Sequence, residues 1–128
     1  MISNLKDLMV YKKAFTLAMD IFEISKNFSK EEKFSLTDQI RRSSRSVCAS
    51  LGESYRRRQY ESHFINKISE ADMENAETQV WLDFALACSY ISREQFDLLL
   101  SQSEEIGKLL HHMIKYPEKY RGNLQLKK

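Results

Sequence analysis

Glycine and proline are nearly missing: the 128 residues hold three glycines and one proline. β-Sandwiches and doubly wound α/β sheets reverse direction often and use these residues to do it, so neither architecture fits. Cysteine is also sparse. Cys48 and Cys88 form no C-x-x-C pair and no zinc-finger spacing. Two free thiols buried on helices are expected, with a single disulfide as the alternative. No apolar run approaches the roughly 18 residues needed to span a bilayer; the best, residues 80–88, is cut by Asp83. Lys6, Asp7, Lys12 and Lys13 interrupt the N-terminus, so it offers no signal-peptide apolar region. These features point to a reducing cytoplasm and to no membrane partner.

The motifs of catalysis and cofactor binding are missing as well. A di-metal site in a helical bundle needs Glu-x-x-His on two helices. Three residues before His63, His111 and His112 stand Tyr60, Lys108 and Leu109. Adjacent histidines on a helix point about 100° apart and chelate poorly. Gly107-Lys108 lacks the earlier glycine of a phosphate loop, since residue 102 is Gln, and no Gly-x-Ser-x-Gly is present. The expectation is therefore no catalytic residue, no metal and no cofactor.

What is there is helix. Hydrophobic residues make up 42% of the chain and charged ones 30%, which suits one soluble folded domain. Four segments carry apolar residues at three- and four-residue spacing. Residues 6–27 hold Leu8, Tyr11, Phe15, Ala18, Phe22 and Ser25, with Ala14, Leu17, Ile21, Ile24 and Phe28 beside them. The second helix begins near Lys30, at a Ser29/Glu32 capping box, or near Leu36, and runs to about Arg57. It carries Leu36, Ile40, Val47, Cys48, Leu51 and Tyr55, with Ser43 and Ser44 marking close helix approach. Residues 60–90 place Phe64, Ile68, Ala71, Asn75, Thr78, Leu82 and Ala85 at heptad spacing. A Ser92/Gln95 capping box opens the fourth helix, which holds Phe96, Leu99, Leu100, Ser103, Ile106, Leu110, Met113 and Ile114 until Pro117 ends it. Short connections predict an all-α, antiparallel, up-down-up-down four-helix bundle over residues 1–116, followed by a basic, poorly ordered tail over residues 117–128. Met9, Phe15, Phe22, Trp81, Phe84, Tyr90 and Phe96 exceed what a small core covers, which suggests subunit interfaces.

Net charge is +2, but its distribution is uneven: residues 41–58 hold six arginines against Glu53, and residues 70–83 hold five acids and no base. A fold-back near residue 58 sets Arg42 opposite Glu74 and Arg45 near Glu70 or Ala71. One reading therefore makes Arg41, Arg42, Arg45, Glu70, Glu74 and Glu77 structural ion pairs that specify register. The other takes Arg56, Arg57 and Arg58, followed by Tyr60 and His63, as a nucleic-acid contact in which arginine meets phosphate and aromatics stack on bases.

Several stretches resemble the 23S rRNA intervening-sequence protein family of four-helix bundle proteins. Leu5-Lys6-Asp7-Leu8 with Tyr11-Lys12-Lys13-Ala14 resembles its opening, and residues 34–43, with Leu36, Gln39 and the Arg41-Arg42 pair, its second-helix motif. Residues 46–53, the acidic stretch from Glu70 through Gln79, and Ser89-Tyr90-Ile91 follow the same pattern, and the similarity covers about residues 5–115. Departures are local: the family usually has Asn at Ser50, Ala at Gly52 and Gly at Ser54, and a proline near Phe28 and Ser29. The resemblance implies a left-handed bundle assembling as a ring, a homopentamer. Some members are encoded within insertions in large-subunit rRNA genes. A protein of similar fold, the accessory variability determinant of diversity-generating retroelements, partners a reverse transcriptase and nucleic acid. By that likeness Arg56, Arg57, Arg58, Lys67 and the basic tail face RNA or DNA, and nothing implies catalysis. The expected function is a non-enzymatic, cytoplasmic, oligomeric bundle associated with nucleic acid. The alternative is a protein-interaction or scaffold module, such as an accessory to a reverse transcriptase, without direct nucleic-acid binding.

Overall fold

The computed structural model describes residue 5 and residues 8–122, and among these the secondary structure is helical throughout. Helices α1 (Met9–Ser25), α2 (Leu36–Arg56), α3 (Glu61–Ala87) and α4 (Arg93–Lys115) form a four-helix bundle. Each helix packs on its two neighbours, α1 and α3 both lying against α2 and α4, with the largest seam between α2 and α3. The paired positions run antiparallel. Arg42 meets Glu77 while Glu53 meets Lys67 farther along α2 and nearer the start of α3. Lys13 pairs with Glu105 while Asp20 accepts from Gln102.

The core follows the apolar spacing closely on α3, where Phe64, Ile68, Ala71, Asn75, Thr78, Leu82 and Ala85 are all buried. On α1 the buried stripe is Val10, Ala14, Leu17, Ala18 and Ile21. Phe15, expected on the inner stripe, turns outward and is half exposed. Burial of each large apolar side chain contributes roughly 1.5–3 kcal/mol, so these stripes are the main source of cohesion. Polar residues in the core are matched. Asn75 Nδ2 donates to the Ser103 carbonyl at 2.9 Å and its Oδ1 accepts from Ser103 Oγ at 2.9 Å, so α3 and α4 share a satisfied network.

Helix ends show where local chemistry decides. At α4 the capping box forms: Gln95 N–H donates to Ser92 Oγ at 3.0 Å and Ser92 N–H to Gln95 Oε1 at 2.8 Å. At α2 the Ser29/Glu32 box does not form. Ser29 Oγ accepts from Glu31 N–H, residues Lys30–Glu32 make one 3-10 turn, and α2 starts at Leu36. Glu32 instead reaches forward, accepting from Ser35 Oγ at 2.6 Å and from Tyr90 Oη at 3.0 Å, and these bonds hold its carboxyl below the usual range. Glu32 Oε1 also accepts from Leu36 N–H at 3.4 Å, at the start of α2, while Oε2 takes the long-range tyrosine.

Two expectations need correction. Cys48 is half-buried, and burial pushes its thiol up to about 11, but Cys88 lies exposed at the C-cap of α3, one helical turn past Ala85 and outside the core. Residues 117–121, assigned to the tail, fold back on the bundle. Pro117 is buried, Pro117–Lys119 form a 3-10 turn, and Tyr120 packs against the core. The rest of the expected tail, residues 123–128 with Lys127 and Lys128, lies outside the described residues. None of the helices among the described residues is long and apolar enough to cross a membrane.

Candidate nucleic-acid interface

One end of the bundle gathers the α2–α3 turn, the start of α3 and the end of α4. α2 stops at Arg56 because Arg57 leaves helical geometry and the α3 core stripe must begin again at Phe64. The chain reverses over Arg57, Arg58, Gln59 and Tyr60, and the arginines are left at the rim. Arg56 and Arg57 are exposed. Neither forms an ion pair with an acid among the described residues. Arg58 is different. Its guanidinium lies 4.0 Å from the Tyr55 ring centroid, and its Nη1 donates to the Tyr55 carbonyl at 2.9 Å. It is a half-buried helix-end cap.

Lys67 is drawn inward. Its ammonium pairs with Glu70 at 3.0 Å and Glu53 at 3.7 Å, and its side chain is 21% exposed. The Glu70 hydrogen bond raises its pKa, against partial desolvation and repulsion from Arg57. That repulsion places Arg57 and Lys67 in one electrostatic neighbourhood. Tyr60 and His63 flank the turn with ring centroids 5.4 Å apart, and Tyr60 is more than half exposed.

The residue that organises this turn is Arg121, which sequence reasoning placed only as one charge in a basic tail. Its Nε donates to the Arg58 carbonyl at 2.6 Å, its Nη2 to the Gln59 carbonyl at 2.9 Å, and its Nη1 lies 3.6 Å from Glu61. Lys115 and Lys119 both sit over the Tyr116 ring nearby, and His112 bonds Tyr120. Cations and aromatic rings therefore alternate across this end, the composition a phosphate-and-base surface uses.

The six residues read as ion pairs separate into two groups. Arg42 pairs with Glu77 at 2.8 Å and Glu74 at 3.8 Å. Burial, then the neighbouring Glu77, raises the Glu74 pKa, while Arg42 lowers it. Glu70 takes Lys67 as its partner. Among the described residues Arg41 and Arg45 make no such pair, which corrects the expectation. Both lie over Phe22 of α1, at 4.8 and 5.6 Å from its centroid, and Arg41 Nε donates to Ser25 Oγ at 2.8 Å. They project toward α1, not across the α2–α3 seam, because the seam positions on α2 are taken by Ser43 and the other buried small residues. A phenylalanine on another helix leaves no signal in the α2 sequence.

Among the described residues no three of His, Cys, Asp and Glu converge as metal ligands do. The model of the 23S rRNA-intervening sequence protein family matches residues 6–112. A crystal structure of a protein of unknown function from the S23 ribosomal protein family of Bacteroides thetaiotaomicron is similar, with 36% identity and a TM-score of 0.75. The alignment covers 83% of this chain and 95% of that one. No curated protein matches. The bundle, its length and the match over most of the chain agree: this protein belongs to the 23S rRNA-intervening sequence protein family.

Proposed function

We propose that this protein is a non-enzymatic, self-associating cytoplasmic bundle that engages RNA or DNA through the end carrying Arg56, Arg57 and Arg58. The observation that carries the reading is the pair Arg56 and Arg57, exposed and without acid partners among the described residues, beside Tyr60, His63 and the Tyr116 lysines. Phosphate neutralisation needs cations that are not already neutralised. By this measure Lys67, held by Glu53 and Glu70, contributes through the local field more than by contact. The family's name supports RNA as the first probe. In filter binding with a structured RNA at two salt concentrations, the wild type binds and loses affinity as salt rises. Replacing Arg56, Arg57 and Arg58 with Ala lowers affinity by about tenfold or more and flattens the salt dependence. Unchanged binding by that variant removes the proposal.

Self-association rests on separate surfaces. α3 carries Met73, Val80 and Phe84 along its outer side, 71%, 47% and 53% exposed, with Phe34 near Phe84. α1, which lies diagonally opposite, exposes Met9, Phe15 and Met19. Two dissimilar apolar faces on opposite corners suit head-to-tail contact, the kind that closes into rings, and a homopentamer is the ring the family likeness suggests. Light scattering at micromolar concentration is expected to give an assembly that Val80→Glu with Phe84→Glu reduces to monomer; a wild-type monomer overturns it. The same faces favour the second reading, a scaffold that docks a protein such as a reverse transcriptase. Copurification of a protein free of nucleic acid supports that reading.

A further inference from the structure

The outward side of α2 carries cations toward both of its ends. Arg41, Arg45 and Lys33 line a groove of about 570 Å³ together with Arg42 and the single acid Asp38. A second groove of about 600 Å³ is lined by Arg56, Arg57, Tyr55 and Glu53. Ala49 lines both grooves, so they adjoin, and the small residues between them are Ser46 and Ala49, while Leu5 packs against Gly52. Arg41 and Arg45 are held in place by the Phe22 ring and by Ser25, which orient a guanidinium without cancelling its charge.

We infer that this joined groove is a track for the phosphate backbone of a nucleic-acid strand, with Arg41 and Arg45 gripping one end and Arg56 and Arg57 the other. The inference rests on the nucleic-acid reading above and extends it to residues outside the α2–α3 turn. Arg41 to Arg57 spans about 24 Å at the rise of an α-helix, near the length of about seven phosphates of one duplex strand. The small residues between the two ends let a backbone approach closely. Phe34 lines the first groove and Leu5 and Tyr55 the second, so the large apolar side chains do not gather into the single centre that a protein interface needs. The charge is therefore left to find charge, which favours a strand of phosphates over an acidic helix.

The test is fluorescence anisotropy of the full chain with a 20-nucleotide single strand, as RNA and as DNA of the same sequence, between 50 and 200 mM salt. Arg41→Gln with Arg45→Ala is expected to weaken binding about tenfold and to flatten the log–log salt slope by about one to two. Ala49→Glu sets a negative charge in mid-track at an exposed position and is expected to weaken binding comparably. Arg45→Ala alone, also at an exposed position, does so in part, so a folding defect at half-buried Arg41 does not mask the result. Losses are expected to be equal for RNA and DNA, since phosphates carry the contact. If these variants bind as the wild type does while Arg56→Ala with Arg57→Ala fails, the track is wrong and the arginine turn stands. If they fail while the turn variant binds normally, the strand holds only the Arg41 and Arg45 end, and both the full track and the turn reading fall. No wild-type binding at 50 mM salt overturns both, and a loss confined to RNA, or displacement of the strand by poly-glutamate at equal charge, overturns the track.

Discussion

The hydroxyls of Ser43 and Thr78 meet 2.8 Å apart in the α2–α3 seam, where both residues are fully buried. Thr78 Oγ1 also reaches the Glu74 carbonyl at 2.9 Å and Ser43 Oγ the Ile40 carbonyl at 3.4 Å, so either hydroxyl can donate across the seam. Two small hydroxyls let the helix backbones come close while leaving neither group unpaired.

That pairing predicts coupled energetics. Ser43→Ala and Thr78→Val are each expected to cost about 1 kcal/mol. The double variant is expected to cost about 0.5–1 kcal/mol less than the two together, because the second change has no bond left to break. Urea unfolding of the four proteins measures this, and simple additivity counts against the pairing.

Ser89 is the one non-glycine residue with positive φ among the described residues, at 62°. It ends α3 in a Schellman turn, with Tyr90 N–H donating to the Ala85 carbonyl and Ser89 N–H to that of Leu86, both at 2.9 Å. Left-handed backbone is costly for a residue with a Cβ, so Ser89→Gly is expected to stabilise by about 0.5–1 kcal/mol. Thermal melting is expected to rise by a few degrees for Ser89→Gly and to fall for Ser89→Val.

Glu74 predicts a pH dependence. Its folded-state pKa lies above the ordinary 4.5, chiefly through burial, and its Oε1 is buried without a hydrogen-bond partner. The folded state therefore takes up this proton more readily than the unfolded chain. The stability Glu74 contributes is fully present below the unfolded pKa and is lost as pH rises through the folded one. Glu74→Gln is expected to raise the urea midpoint at pH 7, with the advantage shrinking toward pH 4. Glu32 has the opposite sign: its lowered pKa contributes stability that is lost as pH falls below the usual carboxylate range. Tyr90→Phe is expected to weaken that acid-limb dependence.

Arg121 predicts that the chain beyond α4 supports the arginine turn. Arg121→Ala frees the carbonyls of Arg58 and Gln59, at an expected cost of about 1–2 kcal/mol. Arg121→Lys is expected to recover only part of it, since an ammonium lacks the fork that bonds two carbonyls at once. Denaturant unfolding gives the energies, and faster amide exchange at Tyr60, whose N–H donates to the Arg57 carbonyl, locates the loosening.

Helix number, order and the α3 core stripe were legible because burial repeats with the period of the helix. The Ser92/Gln95 cap was legible because its partners lie three residues apart. Glu32 bonding Tyr90, Arg41 on Phe22 and Arg121 on the turn were not legible, since each joins residues 16 or more positions apart. The candidate site was half visible. The arginine run marked the turn, whereas the division of the cations into neutralised Arg42 and Lys67 and, among the described residues, acid-free Arg41, Arg45, Arg56 and Arg57 required knowing which acids lie across each seam.

Apolar periodicity, sparse glycine and proline, and short connections are enough to specify four antiparallel rods, because each is a property of neighbours along the chain. Which charges remain available to a partner is a property of neighbours in space. It follows from the rotation of each rod about its own axis, and side-chain packing between helices sets that rotation only once all four are in place.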